Sequence, residues 1–560
     1  TNRYRREQNA DFLFSYDKNL GDFNLSVSAG GNYMYQYASN NTTKAKDGGS
    51  GLIIPGIYSV SNIAPDNIQY SSSWSRKAIY SVYALASVGY KDFAYLDLTA
   101  RNDWSSTLPE ENRSYFYPSA SLSLLLNNMT DMGSTVSLAK LRGGIAMGNQ
   151  PHLTSSGTFL LPNLKPEIQT SWEIGADLNL YRNRLRFEGT YYSSENENQI
   201  LNIGLPPSSG SQSKQLNAGL ISSKGIELAL GGVPVQTNDL NWDVNFVFSR
   251  NRTRVEELSE GFNSITLWTD AKGGAVTWVG EEIGNIIDKK MLRVEDKNSE
   301  YYGWPIIDDE GWDSSDGTWE KDGKRVAPVI GNFNPDFTLG FQTTLTYKKW
   351  SLSASLDWRK GGQFVSQTLR YGESDLHTQR WIDRTVKVND LNDVGGYIKA
   401  NADKYLSPDG MFFVVVGGPT AETGGFEHTE GGITLHDGVF MPGVVGDYDD
   451  DGNFIAQYEN VGGPETQYIR YQDFYGWDYT RTATFDADFV KLREISVSYQ
   501  LPSLKSIGVQ SASISLYSRN IILWTKAKIA IDPEMAFQPE SGEQGYSGIM
   551  FKQGIERFNV

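Results

Sequence analysis

The chain contains no cysteine. No disulfide can staple it, and no thiolate can act as nucleophile or metal ligand. That absence fits an oxidising compartment and chance about equally. Long apolar runs are missing too. No stretch approaches the roughly 18 residues that a membrane-spanning helix needs, which excludes a helical membrane protein. A β-barrel stays open, because its strands alternate lipid-facing and lumen-facing residues and so keep mean hydropathy low, here -0.43. Positive charge is in short supply: 50 Lys and Arg stand against 67 Asp and Glu, a net charge of -17. Without a basic stripe to neutralise phosphates, nucleic-acid binding is excluded. Histidine is scarce. His152, His377, His428 and His436 are scattered through expected loops, and no pair has the H-E-x-x-H spacing of a zinc site. There is no Walker loop and no nucleophile elbow. Loop carboxylates are numerous, but no spacing singles out an acid–base pair, and the chain reads as a non-enzyme. No signal peptide opens it; Thr1-Asn2-Arg3-Tyr4 begins mid-pattern, so the expectation is that an N-terminal part has been removed.

What is abundant is glycine, 56 residues in 560, together with 12% aromatics. Period-two alternation recurs almost everywhere. Leu25, Val27, Ala29, Gly31, Tyr33, Tyr35 and Tyr37 alternate with Asn24, Ser26, Ser28, Asn32 and Gln36. Trp172, Ile174, Ala176, Leu178 and Leu180 alternate with Glu173, Asp177 and Asn179, and Trp242, Val244, Phe246 and Phe248 with Asn241, Asp243 and Asn245. One face suits hydrocarbon and the other water. The pattern predicts strands at about 10–18, 22–38, 74–91, 92–103, 114–127, 137–148, 168–181, 184–201, 219–232, 240–256, 335–349, 350–368, 487–501 and 509–526.

A soluble sandwich would alternate as well, but two features favour a membrane barrel. Charges on the polar face sit mid-strand, as a wide wet lumen allows. Short and long connections also alternate strictly, and two are very long, 257–334 and 369–486. Short periplasmic turns with long extracellular loops are the outer-membrane pattern. The fold class is therefore all-β: a transmembrane antiparallel barrel with about fourteen strands present. One strand breaks phase. Val490 and Leu492 lie on one face but Ile495, Val497 and Tyr499 on the other, which predicts a β-bulge near Arg493–Glu494.

Several phrases along these strands resemble the SusC/RagA family of TonB-dependent transporters of the Bacteroidetes. They are Leu164-Lys165-Pro166-Glu167, Ser171-Trp172-Glu173-Ile174-Gly175 with Tyr191-Tyr192, Asn217-Ala218-Gly219 and Lys224-Gly225-Ile226-Glu227-Leu228. Further on come Asn334-Pro335-Asp336-Phe337, Asp357-Trp358-Arg359-Lys360-Gly361-Gly362, Asp488 to Glu494, Arg519-Asn520, Leu523-Trp524-Thr525 and Asp532-Pro533-Glu534. Together they cover about residues 140–535. Their chemistry reads chiefly as fold-determining: a proline at a strand start, turn formers, and a strand glycine for close approach.

The resemblance implies a barrel of about twenty-two strands, so 1–560 reads as a partial barrel that lacks the N-terminal plug, the early strands, the TonB-contacting segment and the last strand. Gly554 to Val560 looks like the approach to that strand. It also implies the outer membrane as location, import of nutrient oligomers (oligosaccharides first, peptides as the alternative), a SusD-like surface lipoprotein as partner, and coupling to the TonB system. A dimer of transporter–lipoprotein pairs is the assembly it allows. The rival readings are a passive porin and a structural or adhesive outer-membrane protein.

The candidate cargo-contacting residues are loop aromatics, Tyr301, Trp304, Trp312, Tyr475 and Trp477, because exposed rings stack on sugar faces or peptide side chains. The alternative is that they pack the loops together. Asp447, Asp449, Asp451 and Asn453, with Gly452, match the first half of a calcium loop. The bidentate Glu due at the twelfth position is Tyr458, with Glu459 one residue late, so an acidic turn is the favoured reading and calcium the alternative. No other cofactor is expected. Asp308-Asp309-Glu310-Gly311 reads as a turn of the same kind.

Overall fold

The computed structural model describes residues 2–46, 53–54, 59–150, 158–160, 165–204, 213–217, 219–270, 273–309, 311–375, 378, 394–411, 413–416, 428–430, 433–435, 438–462, 468–502, 510–529, 531–534 and 555–556. It divides into two units, Thr1–Ser259 and Glu260–Val560. The first carries ten long strands: β1 (Asn2–Leu20), β2 (Phe23–Ala45), β3 (Ile68–Tyr90), β4 (Ala94–Ser105), β5 (Ser114–Leu125), β6 (Val136–Gln150), β7 (Glu167–Leu180), β8 (Leu185–Glu197), β9 (Leu220–Gln236) and β10 (Leu240–Glu257). Each pairs antiparallel with the next in chain order. The second unit carries β11 (Phe337–Tyr347), β12 (Trp350–Lys360), β13 (Phe489–Gln500) and β14 (Ser513–Thr525), again a meander.

These are the fourteen strands that alternation predicts, with shifted ends. The first hairpins are longer than expected: β1 begins at Asn2 and β3 at Ile68. The serine run Ser71-Ser72-Ser73 looks like a turn in isolation, yet its backbone is held in register opposite Thr42, Asn41 and Asn40. Strand β12 ends early because Gly361 and Gly362 take φ of +78° and +85°. β9 runs on through Pro234 by slipping register between Gly232 and Val235, where a residue without an N–H is tolerated. The tight turns use left-handed residues; Lys91 and Asp92 at φ 47° and 54° form the primed turn that matches strand twist.

Register turns the alternation into a surface. Tyr16, Val27, Ala86, Leu98, Ala120, Ile145 and Trp172 form one continuous cross-strand row. Around it Phe12, Phe14 and Ile174 are 58%, 74% and 59% exposed. A sheet face this apolar and this open is suited to a hydrocarbon solvent, not to water. The opposite face pairs hydroxyls and charges. Arg101 bonds Asp103 at 2.7 Å and Ser81 at 2.8 Å. Arg142 reaches Glu188 at 3.0 Å and Thr190 at 2.7 Å, while Arg186 holds Asp243 at 2.9 Å. These are the mid-strand charges that sequence placed on the wet face.

The described residues of the two longest connections in the second unit form further secondary structure, and each connection is an insert between wall strands. The first contains a four-stranded sheet of Ser264–Asp270, Gly273–Trp278, Asn285–Ile287 and Val329–Asn332. The second contains the helix Gln367–Ser374, started by the Ser366 hydroxyl accepting from Leu369 N at 3.2 Å, and a sheet of Val414–Val416, Gly438–Phe440 and Tyr468–Arg470. Ile555–Glu556 pairs in parallel with Val365–Ser366 of this insert.

Candidate functional site

The two inserts are one folded body. Ile306–Ile307 of the first pairs in parallel with Val444–Val445 of the second, whose strand Gly443–Tyr448 returns as Phe454–Asn460. Ile307 then packs with Val439, Met441, Val445, Ile469, Tyr471, Phe474, Tyr475 and Tyr479 in a single apolar cluster. Polar contacts seal the joint. Arg481 holds Asp288 at 2.7 Å, and Lys289 pairs with Asp313 at 2.9 Å while its ammonium lies 4.0 Å from the Tyr479 ring centroid. Tyr479 donates to Asp313, and burial together with that carboxylate pushes its phenol far up from the ordinary value. Arg293 donates to the carbonyls of Gly303, Ser407 and Gly410 at 2.8, 2.6 and 3.0 Å. One guanidinium thereby ties a turn of the first insert to a turn of the second.

The sequence phrases also meet in space. In the first unit, Asn217 accepts from Lys165 N at 2.7 Å and donates to the carbonyls of Lys165 and Asn198, each at 2.8 Å. Glu167 accepts from Ile200 N at 2.7 Å. Tyr192 lies across Gly225, where an added Cβ would meet its ring at 2.4 Å. In the second unit, Phe337 and Trp358 pack edge to face at 5.2 Å. Asp488, with a side chain only 3% exposed, takes the Lys360 ammonium at 2.6 Å and Gly361 N at 2.8 Å. Lys491, 1% exposed, is held by Asp532 at 2.5 Å and Glu534 at 2.6 Å. Arg493 is the extra residue of the predicted bulge: Ser355 pairs with Glu494 and Leu356 with Leu492, leaving Arg493 between them. Its guanidinium reaches Asp357 at 2.5 Å and takes both oxygens of Glu534 at 2.6 Å. The Arg493 bonds hold the Glu534 carboxyl down at about 2.

The candidate aromatics fall into two groups. Tyr301 and Trp304 sit edge to face at 5.1 Å, with Trp304 packed against the Ile398, Tyr405, Leu406 and Phe440 cluster. Trp312 and Tyr475 share the Tyr471–Tyr479 cluster, where Tyr475 is 1% exposed and stacked on Tyr471 at 4.5 Å. Tyr475 therefore serves packing in this arrangement. Trp477 follows it in the turn Phe474–Asp478, and its side chain lies outside the described residues. Trp312 also lines a cleft of about 530 Å³, with Ser374, Gln472, Asp473 and Asp478. Those four polar neighbours were missed from sequence; they come from separate segments, and only folding brings them to the indole.

Asp447, Asp449, Asp451 and Asn453 occupy the hairpin between Gly443–Tyr448 and Phe454–Asn460. The Asp449 carboxylate accepts from Asp451 N at 3.0 Å, Asn453 N at 2.8 Å and the Asn453 amide at 3.0 Å, which lowers its pKa. The alternating Asp spacing thus has a local use as an Asx-type turn. Among the described residues no three His, Asp or Glu side chains gather as a metal cluster. Asp308 likewise accepts from Trp312 N at 2.8 Å, closing its own turn, and Glu310 lies outside the described residues. His428 opens the short strand His428–Glu430 within the second insert, whereas His152, His377 and His436 lie outside the described residues.

An up-and-down wall with one apolar face and one charged face defines part of an outer-membrane β-barrel. The chain belongs to the family described as TonB dependent receptor-like, beta-barrel, whose model matches residues 1–406. It is 24% identical over 410 residues to TonB-dependent receptor P3 of Formosa agariphila, covering 66% of this chain and 40% of that protein. It is 23% identical over 118 residues to TonB-dependent receptor SusC of Bacteroides thetaiotaomicron, covering 21% of this chain and 12% of SusC. Its fold matches the structure of the RagAB peptide transporter with a TM-score of 0.60 at 16% identity, over 95% of this chain and 53% of that one. The resemblance to the SusC/RagA family read from the phrases is upheld, and the chain is an outer-membrane protein. It spans 40% to about half of the length of the first relatives it matches.

Proposed function

We propose that this chain supplies wall and inserts to an importer of oligomeric nutrients, with oligosaccharides as cargo. It would act with a SusD-like surface lipoprotein, and the TonB system would drive it through parts of the protein beyond this chain. The observation that carries the cargo assignment is the cleft at Trp312. An indole beside two carboxylates, an amide and a hydroxyl offers a stacking face for a sugar ring and acceptors for its hydroxyls. The inserts also present Tyr302 and Tyr371, 49% and 53% exposed, as further ring surface for cargo or lipoprotein. No acid–base chemistry is assigned to the carboxylates.

Peptide cargo is the second reading, since Asp473 and Asp478 would suit a cationic peptide and the RagAB protein is titled a peptide transporter. The test is mass spectrometry of material co-purifying with the full-length transporter, repeated for Trp312→Ala. Glycans that fall about tenfold in the variant support the sugar reading, since one lost stacking contact of about 1.4 kcal/mol is worth that much. Peptides in both preparations would replace it. Isolation in gentle detergent with no lipoprotein would count against the partner.

A further inference from the structure

The wet face of the first unit gathers three tyrosines around one ion pair. Register sets Tyr83 of β3, Arg101 of β4 and Tyr117 of β5 side by side in one row. The next row on that face, toward the long connections, is Ser81, Asp103 and Tyr115. From Ser81 to the tight turn after Tyr90 run about the 9–11 residues that cross a bilayer. Just beyond, on the lipid side, Tyr33, Tyr80 and Trp104 form a row of interfacial rings. The cluster therefore stands at the outer rim of the wall and faces the lumen. Its geometry is fixed from within. An added Cβ at Gly30 would meet Tyr83 Cζ at 2.9 Å, so the missing side chain lets that ring lie down on the sheet. The Arg101 guanidinium is 5.7 Å from the same ring's centroid. Asp103 takes Arg101 Nε on one oxygen at 2.7 Å and the Tyr117 hydroxyl on the other at 2.5 Å, while Arg101 Nη2 donates to Ser81 at 2.8 Å. Tyr115 stacks on Tyr117 at 6.1 Å with planes 22° apart, backed by Leu108 and Ile200.

What stays open has a definite chemistry. Ser81, Asp103 and Tyr115 are buried, whereas Tyr83, Arg101 and Tyr117 keep part of their surface free. The rings offer apolar faces with a hydroxyl at one end, and the guanidinium offers planar donors. Arg101 and Asp103 neutralise one another, so the pair has no net charge with which to select an ion. A flat ring beside a planar donor matches a molecule with an apolar face and a rim of hydroxyls, which is a pyranose. Because internal bonds already hold these groups, little side-chain freedom is lost when a ligand arrives. We infer that Tyr83, Arg101 and Tyr117 form a subsite for an uncharged hexose unit at the mouth of the lumen, with Asp103 and Tyr115 as positioning residues. The subsite rests on the oligosaccharide reading above, and it gives the first unit a cargo contact of its own beside the cleft at Trp312 in the second.

The experiment uses the full-length transporter in detergent, with neutral hexose oligomers as the probe and a short-peptide library in a parallel arm. Hydroxyl-radical footprinting of the wild type comes first, since it needs no substitution. Bound oligomer should lower oxidation of Tyr83 and Tyr117 several-fold and leave Tyr181, 57% exposed at a tight turn, unchanged. Native mass spectrometry then compares variants. Tyr83→Leu should retain about tenfold less oligomer, the scale of one stacked ring. Tyr83→Phe, which keeps the ring, should retain nearly as much as the wild type. Oligomer retention that Trp312→Ala lowers and Tyr83→Leu leaves unchanged would overturn the subsite while the cargo reading stands. Equal oxidation of Tyr83 and Tyr117 with and without retained oligomer would overturn it even if Tyr83→Leu failed to fold. A wild type that retains peptides and no oligomer would overturn the subsite and the cargo reading together.

Discussion

Arg493 and Glu534 face one another through two parallel hydrogen bonds of 2.6 Å, although 41 residues separate them. The bulge in β13 makes this possible, since it frees Arg493 from direct pairing with β12. The contact should be pH-dependent in a defined direction. In the folded protein the Glu534 carboxyl sits at about 2, against an ordinary value of 4.5. A depressed carboxyl stabilises the fold above its unfolded value and loses that contribution as pH falls through the folded one. Acidification from about pH 4.5 to about 2 should therefore release the Asp532–Glu534 segment. Proteolysis or hydrogen exchange of that segment in the detergent-solubilised transporter reads it. Glu534→Gln should show release at neutral pH; if wild type and variant behave alike across the range, the ion pair does not hold the segment.

Asp488 is the more deeply set anchor. Its carboxylate joins β13 to the end of β12 through Lys360 and Gly361, with a side chain only 3% exposed. Removing one partner of a buried pair leaves the other uncompensated, a cost of about 3–5 kcal/mol. Lys360 is 43% exposed on its side of the bridge, so water can take over part of that role and the lower figure applies. Asp488→Ala should thus lower unfolding stability by about 3 kcal/mol, measured by heat-dependent gel mobility or denaturant titration. Asp488→Asn, which can still accept from Gly361 N, should cost less. Equal costs would show that the charge is irrelevant.

Gly225 tests close approach. A Cβ there would meet the Tyr192 ring at 2.4 Å, and a strand-bound tyrosine has little room to retreat. Gly225→Val should destabilise the wall by about 1–3 kcal/mol through overpacking. The double change with Tyr192→Ala should recover much of the loss, because the obstruction is then gone. Failure of that rescue, seen in the same unfolding measurement, would place the need for glycine in the backbone instead.

These residues also mark how far the sequence could be read. Strands such as β10 were legible because Trp242 to Phe248 alternate without interruption, and the bulge was legible because Leu492 and Ile495 fall out of phase. The phrases read as fold determinants are so used: Asn217 ties Lys165 to Asn198, and Lys491 is locked by Asp532 and Glu534. What escaped was anything that depends on joining distant segments. Tyr475 has the same local composition as an exposed loop ring, and only the packing of Tyr471 and Phe474 around it decides its burial. The cleft at Trp312 draws on positions 374 and 472–478, which no periodicity links to position 312.

The acidic hairpin separates two uses of one spacing. If Asp447, Asp449 and Asp451 held calcium, their carboxylates would have to turn toward a common centre and give up local bonds. Asp449 instead accepts three hydrogen bonds from Asp451 and Asn453, and Asp447 accepts from Tyr448 N at 2.7 Å. A turn of that kind is closed by its own amides, and the turn reading predicts no response to the cation. Chelation with EDTA should leave protease sensitivity of the second insert and thermal stability of the transporter unchanged. Asp449→Ala should increase cleavage near residues 449–453, because it removes the acceptor that closes the turn, whereas Asp451→Ala should not, since Asp451 contributes its backbone N–H there. A stabilisation by calcium that both substitutions abolish would reverse this reading and establish the metal site.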